Sequence, residues 1–222
     1  MSKFEQRYRS AFAELGRPLR RSDAIPSRRV AVAERRCGVL LPTALHEFFR
    51  VAGRARDVMN AHEQLMMPEE WLVEYGKLVF MAENQEVVVY GVNARRARAS
   101  DAPVYMAVSH DGPLIWHRVC DRASSFMEVM VAWQAVCGGF MSHGGTALAS
   151  RSTRARLESS WHYLGEVNKL RAYRRSGEVA CYLPWGRRMQ VMVAATSAAR
   201  YIAVGKELGL KWPDQQVPGR AG

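Results

Sequence analysis

At Leu78 the hydrophobic period of this chain changes, and that change limits the folds open to it. Upstream, Phe4, Tyr8, Phe12 and Leu15 recur at three- and four-residue steps, the spacing of one helix face. Gly16 and Pro18 stop that helix, and a second is expected from Pro26 to about Arg36. A third follows Pro42, with Thr43 as its cap, Leu45, Phe48, Phe49 and Ala52 as its apolar face, and Gly53 at its end. Pro68-Glu69-Glu70 resembles a further helix start. Downstream, LVFMAENQEVVVYGV reads as two strands around Glu83-Asn84-Gln85. APVYMAVSHDGPLIWHRV reads as a hairpin turning at His110-Asp111-Gly112-Pro113. A helix capped by Ser124 or Ser125 then carries Phe126, Val129, Met130 and Trp133 and ends at Gly138-Gly139. Three more strands lie in NKLRAYRRSGEVACYLPWGRRMQVMVAA, turning at Ser176-Gly177 and around Pro184 to Arg187, before a last helix from Ser197 to Leu208. On that helix Tyr201, Ile202, Val204 and Leu208 are expected near the apolar side. Segregated helices and hairpins imply an α+β fold, a mainly antiparallel mixed sheet flanked by helices, and not a doubly wound one.

Composition shifts divide the chain. Residues 1–24 form an N-terminal helix and linker, with Arg17 to Arg29 read as an exposed link holding two prolines and five arginines. Residues 25–140 form the main domain. Residues 141–154, rich in Ser, Gly, Ala and Thr, are expected to be a linker. Residues 155–212 make a β-hairpin and helix extension, or a degenerate companion unit, and 213–222 a tail. No apolar run approaches the roughly 20 residues that cross a bilayer. Glu5 and Glu14 argue against a transit peptide, so a cytoplasmic protein is expected, with no membrane partner. Cys37, Cys120, Cys137 and Cys181 are scattered, which favours reduced packing residues over a disulfide framework.

The net charge of +11 is uneven. Residues 1–36 carry ten Lys and Arg against four acids, residues 37–140 nine against twelve, and residues 141–222 thirteen against five. An acidic middle therefore sits between basic ends. Arg171, Arg174, Arg175, Arg187 and Arg188, interleaved with Tyr173, Tyr182 and Trp185, could serve phosphate contact and base stacking. Against this, strand tyrosines commonly pack and arginines commonly solvate a face.

No catalytic constellation stands out. The glycine pairs lack a following Lys-Ser or Lys-Thr, and there is no GxSxG or HExxH. His110-Asp111 with His117 reads as a turn and a strand residue, and His46-Glu47 as a solvated helix face. Neither an enzyme nor a cofactor or metal is expected. Glu83-Asn84-Gln85 is the most concentrated polar cluster, either a recognition surface or a turn in which Asn84 takes the unusual backbone angle. Of six tryptophans, Trp185, between Pro184 and Gly186, is the one expected to be exposed, and exposed Trp often anchors an interface. Candidate partner-binding residues are thus Glu83, Asn84, Gln85, Trp185, Arg187 and Arg188.

Several of these pieces fall in a familiar order. Ala33-Glu34, Gly38-Val39-Leu40-Leu41-Pro42, then Leu45, Phe48-Phe49 and Gly53 resemble the opening helices of the SUKH superfamily. Leu78-Val79-Phe80, Glu83-Asn84-Gln85 and Tyr90-Gly91-Val92 are similar to its central strands. Asp101-Ala102-Pro103-Val104-Tyr105 is similar to its Asp-Pro-Pro-Val-Tyr signature, with Ala102 departing from it, and Ser124-Ser125-Phe126 to its closing helix. The resemblance covers Ile25 to Gly139 and implies structural roles for Leu41, Pro42, Phe48, Gly53, Phe80, Asp101, Pro103, Val104, Tyr105 and Phe126. It also implies a non-catalytic, SUKH-like binding fold. Many bacterial members are immunity proteins that neutralise toxins, and others are regulatory scaffolds. The expectation is a protein-binding domain whose partner is a toxin domain. The alternatives are a regulatory scaffold or a nucleic-acid-associated accessory protein working through its basic C-terminal region. Inhibitors of nucleases tend to be acidic, so for this basic chain either the acidic middle meets the toxin or the toxin is not a nuclease.

Overall fold

The computed structural model describes residues 1–95, 97–108 and 113–212. Its first helix, α1 (Lys3–Glu14), starts where the Ser2 hydroxyl accepts the Glu5 N–H at 3.1 Å. Phe4, Tyr8 and Phe12 point inward as their spacing requires, and Tyr8 meets Phe48 edge-to-face, ring centroids 5.0 Å apart. Phe48 belongs to α3 (Thr43–Ala52), which follows α2 (Ser27–Cys37). The expected exposed link ahead of α2 is anchored instead. Arg17 bridges Asp23 at 2.5 Å and Asp57 at 2.8 Å, and Ile25 is buried. Gly53 does end α3, but with an ordinary right-handed backbone. A β-carbon there would collide with the Ile25 side chain, so close approach explains this glycine better than conformational freedom.

The change of period at Leu78 marks the first sheet. After a single turn, α4 (Arg56–Met59), come β1 (Glu63–Leu65), β2 (Leu72–Glu74), β3 (Lys77–Glu83), β4 (Val88–Asn93), β5 (Val104–Val108) and β6 (His117–Cys120). In this sheet A, every neighbouring pair is antiparallel, in the order β1-β3-β4-β5-β6, with β2 sharing the β3 edge with β1. The helix start expected at Pro68 is only a 3₁₀ turn, Pro68–Glu70, between β1 and β2. The hairpin turn read at His110-Asp111-Gly112 lies outside the described residues.

Next comes α5 (Ala123–Val136), with twelve of its fourteen residues buried. A helix apolar nearly all round belongs inside a core, and α5 lies between two sheets. Phe126 packs on Phe80 and Tyr90 of sheet A, while Gly165 on the other side lies against Ser125 and Val129. Neither expected serine cap forms. Asp101, from the loop before β5, accepts both the N–H and the hydroxyl of Ser124, at 3.0 and 2.6 Å. Thr43 likewise caps nothing; it begins α3, and its hydroxyl donates to the Ala99 carbonyl.

The expected linker at 141–154 is replaced by structure. It holds β7 (His143–Ala149) and the start of α6 (Arg151–Ser160), which Ser150 caps. A β-carbon at Gly145 would clash with the Tyr201 hydroxyl, so the small residues serve close packing here, not looseness. Then follow β8 (His162–Val167), which the sequence reading missed, β9 (Leu170–Arg175), β10 (Glu178–Trp185), β11 (Arg188–Ala195) and α7 (Ala198–Leu208). Sheet B runs antiparallel in the order β7-β11-β10-β9-β8.

Two cores result. One extends from Phe4 through α5 to Val179, Cys181 and Ala194; the other joins α6 and α7 to Tyr173, Ala180, Tyr182 and Val191. Sheet B is therefore apolar on both faces. Ile202, expected on the apolar side of α7, is instead exposed, whereas Trp212 stacks on Tyr201 at 4.6 Å. The architecture is α+β, with antiparallel sheets flanked by helices. Among the described residues no helix is long and apolar enough to cross a membrane.

Candidate functional site

Strand parity places the tip of the β10–β11 hairpin. Val179 and Cys181 face α5, so Leu183 and Trp185, two and four residues beyond Cys181, continue that face past the core. Trp185 pairs with Arg188 across the two-residue turn Gly186-Arg187, and Gly186 takes the positive φ of 59° that such a turn needs at its first position. Trp185 is 65% exposed, as its sequence context implied. Leu183 is half-buried, and Leu148 of β7, which pairs with the neighbouring Gln190, is exposed. Among the described residues no ion pair engages Arg187 or Arg188. The result is an aromatic anchor with two free guanidinium groups.

The other arginines proposed for nucleic acid do not join this tip. Alternation sends Arg174 to the α5 side of sheet B and Arg171 and Arg175 to the α6–α7 side. Arg175 pairs with Glu178 and Glu207 and stacks over Trp161 at 4.4 Å. Arg171 bridges Glu158 and Glu166. Arg174 is 8% exposed, its Nε 2.9 Å from Glu14 but misaligned for a hydrogen bond, its Nη1 3.6 Å from Glu128. Glu128 is also held by Arg7 of α1, tying α1, α5 and sheet B together.

Half-buried Glu83 ends β3, and Asn84 and Gln85 are exposed in the β3–β4 turn, where the Glu83 carboxylate accepts the Gln85 N–H at 3.0 Å. The positive φ falls on Glu86, at 59°, and not on Asn84 as expected. No hydrogen bond or ion pair among the described residues joins this turn to the Trp185 tip; they belong to different sheets. The turn instead borders a groove of about 570 Å³ on sheet A, with Val79, Ala82, Glu86 and Val89 in its wall, which the sequence reading missed. A larger cleft, about 990 Å³, lies where edge strands β6 and β8 approach beside the start of α5. Of its charges, Arg7 pairs with Glu128, Arg118 with Asp121 at 2.5 Å, and Glu166 with Arg171 outside the cleft, while Arg122 and Lys169 enter no ion pair among the described residues.

The structural positions implied by the family resemblance divide simply. Leu41, Pro42, Phe48, Gly53, Phe80, Val104 and Phe126 are buried; Asp101, Pro103 and Tyr105 are half-buried, Tyr105 beneath the Lys77 ammonium at 4.3 Å. Glu47, read as solvated, is buried and held by Ser2 and Arg50. The four cysteines are unpaired. Burial pushes the Cys137 thiol up to about 12 and raises those of Cys120 and Cys181, the opposite of an activated nucleophile. Among the described residues no group of three His, Cys, Asp or Glu could hold a metal ion.

Fold and surfaces together define a two-sheet α+β protein built around one buried helix, with a projecting aromatic hairpin. The chain matches no family model, no curated protein and no solved structure at a significant level.

Proposed function

We propose that this protein works in the cytoplasm by binding another protein without catalysis, as an immunity protein that neutralises a toxin domain by direct contact. The observation that carries the reading is the Trp185 tip. A large aromatic ring left 65% exposed on a two-residue hairpin gives contact area at little entropic cost, and it is flanked by Arg187 and Arg188, which enter no ion pair among the described residues. Leu183 and Leu148 extend the apolar patch toward the core, so the ring stands on a packed base. A partner that covers this tip would be held by a buried aromatic anchor within a polar rim. Neutralisation then follows from blocking or misorienting the partner's working surface.

The nucleic-acid alternative draws less support, because Arg171, Arg174 and Arg175 are engaged in internal ion pairs on opposite sides of sheet B. One experiment separates the two. The wild-type protein and Trp185→Ala are used as baits in lysate of the native cells, with nuclease, at low and high salt. A protein partner retained at high salt by wild type and weakened about tenfold or more by Trp185→Ala supports the reading. Equal capture by both baits, or loss of every partner to nuclease or salt, refutes it.

A further inference from the structure

We propose that the groove on the outer face of sheet A is a second docking site, and that its occupant is a basic, apolar segment of a partner protein. The groove follows from a bulge in β3. The register shifts between Val79 and Met81, so β1 pairs with one half of the β3 edge and β2 with the other. Between these halves the chain leaves the sheet at Met66, whose N–H still reaches the Phe80 carbonyl at 3.0 Å, and returns through Pro68–Glu70. An opening of about 570 Å³ remains.

Its floor is apolar, formed by Met66, Met67, Leu72, Val79 and Val89. Leu72 is 38% exposed and both methionines are only half-buried. Methionine pairs adapt to varied apolar side chains, which suits a docking floor. The rim is acidic: Glu70, Glu74 and Glu86 stand around it with Arg56 as the one lining base. All four are exposed, and no ion pair among the described residues engages any of them. In a chain of net charge +11, three carboxylates outside the ion pairs of the described residues, Glu70 also accepting the Met67 N–H, give the face around this apolar opening a local field opposite to the whole molecule's. The complement of such a groove is a segment carrying Lys or Arg beside apolar side chains. The site is on a different sheet from Trp185 and stands independently of the reading above.

The test uses the intact protein and a fluorescently labelled short peptide alternating lysine and leucine. Two comparison peptides alternate lysine with serine and glutamate with leucine. Wild type should bind the lysine–leucine peptide about tenfold or more tightly than either comparison peptide. The double substitution Glu74→Lys with Glu86→Lys should weaken that binding about tenfold or more, and Leu72→Asp should weaken it as well. Glu166→Lys on sheet B and Trp185→Ala should leave it unchanged. All these side chains are exposed, and unchanged melting temperatures verify that the variants fold. Undiminished binding by the Glu74/Glu86 double variant overturns the proposal, as does an equal loss in Glu166→Lys, which would reduce the effect to net charge. Sedimentation of the protein alone supplies the last arm. Self-association that the double variant abolishes would make a second copy of this chain the occupant and overturn the assignment to a foreign segment.

Discussion

Sheets A and B are both antiparallel and both pack on α5, but they differ in what covers their other faces. Sheet B has α5 on one side and α6 and α7 on the other, so residues of both parities are apolar: Val179 and Cys181 toward α5, Ala180 and Tyr182 away from it. Sheet A gives Phe80 and Tyr90 to α5 but leaves Leu72 and half-buried Val89 on an open face. Charge follows coverage. The basic C-terminal part spends much of its charge internally, on Glu158, Glu166, Glu178 and Glu207, where arginines close over a sheet already covered. The acidic part leaves Glu74 and Glu86 on the uncovered sheet, with no ion pair to either among the described residues. Net charge is therefore a poor guide to the surface that this molecule presents. Arg187 and Arg188 at the Trp185 tip and Glu74 and Glu86 at the groove enter no ion pair among the described residues, so the two sites carry opposite local charge.

The contrast requires that the sheets, however differently covered, share one core. Phe126→Ala tests this most severely. Its ring is fully buried, with centroids 5.8 Å from Phe80 and 5.2 Å from Tyr90, on the helix that also supports sheet B. Truncation should cost about 4 kcal/mol. In urea, tryptophan fluorescence and far-ultraviolet circular dichroism should still report one coincident transition. Two separated transitions would show that the sheets are independent units and that the first core is not continuous.

A smaller loss is expected from Glu128→Gln. Arg7 and Arg174 approach this carboxylate from α1 and sheet B, and its removal leaves the deeply buried Arg174 with only the partly exposed Glu14 nearby. Breaking a buried pair from one side costs about 3 kcal/mol. Urea denaturation measures it. A loss below about 1 kcal/mol would mean that water already screens the cluster as it does a surface pair.

How far this contrast could be read in advance depended on how local its causes are. The helix faces of α1 and α3 and the turns at Ser176-Gly177 and Gly186-Arg187 were legible because spacing and turn residues act over a few positions. So was Trp185, held out by the glycine turn beside it. Strand β7 was not, because Gly144 and Gly145 look like a loose link until α7 is seen to bring Tyr201 onto that strand. Helix α6 was obscured because only Thr153 and Leu157 of its ten residues are buried, too few for an apolar stripe. The caps misled for a related reason: Ser124 is served by Asp101, 23 residues away. The groove could not be read at all, since its wall is gathered from α4 to β4 by a bulge that leaves no mark in the local pattern. The separation of Arg171, Arg174 and Arg175 was accessible from strand alternation alone.

The smallest effect sharpens the comparison through acid response. On sheet A, Glu63 is 5% exposed, with one carboxylate oxygen accepting the Trp133 indole N–H at 3.1 Å and the other unpartnered. Burial raises this carboxyl above the ordinary glutamate value, with partial relief from His62 and Trp133 and a further push from Glu83 across the strand pair. A group raised in the folded state stabilises below its unfolded pKa and loses that contribution as pH rises through the folded one. At neutral pH the ionised Glu63 therefore costs stability, and Glu63→Gln should stabilise the protein by about 1 kcal/mol. The gain should vanish as pH falls below the ordinary glutamate range, where the wild-type carboxyl is neutral in the folded and unfolded states alike. Asp23 runs the other way. Burial pushes it up, but Arg17 and the Arg20 N–H prevail and hold it below the usual aspartate value. Its contribution is present above the unfolded pKa and is lost as pH falls through the folded one. Glu207 of α7, lowered chiefly by Arg175 of sheet B, behaves likewise. On acidification the advantage of Glu63→Gln should thus shrink first, in mild acid, and the wild-type melting temperature should fall only in stronger acid, where Asp23 and Glu207 take up protons. If Glu63→Gln is instead the less stable protein at pH 7, the charged bond to Trp133 outweighs burial, and the sheet A carboxylate is a stabilising ion like those of sheet B.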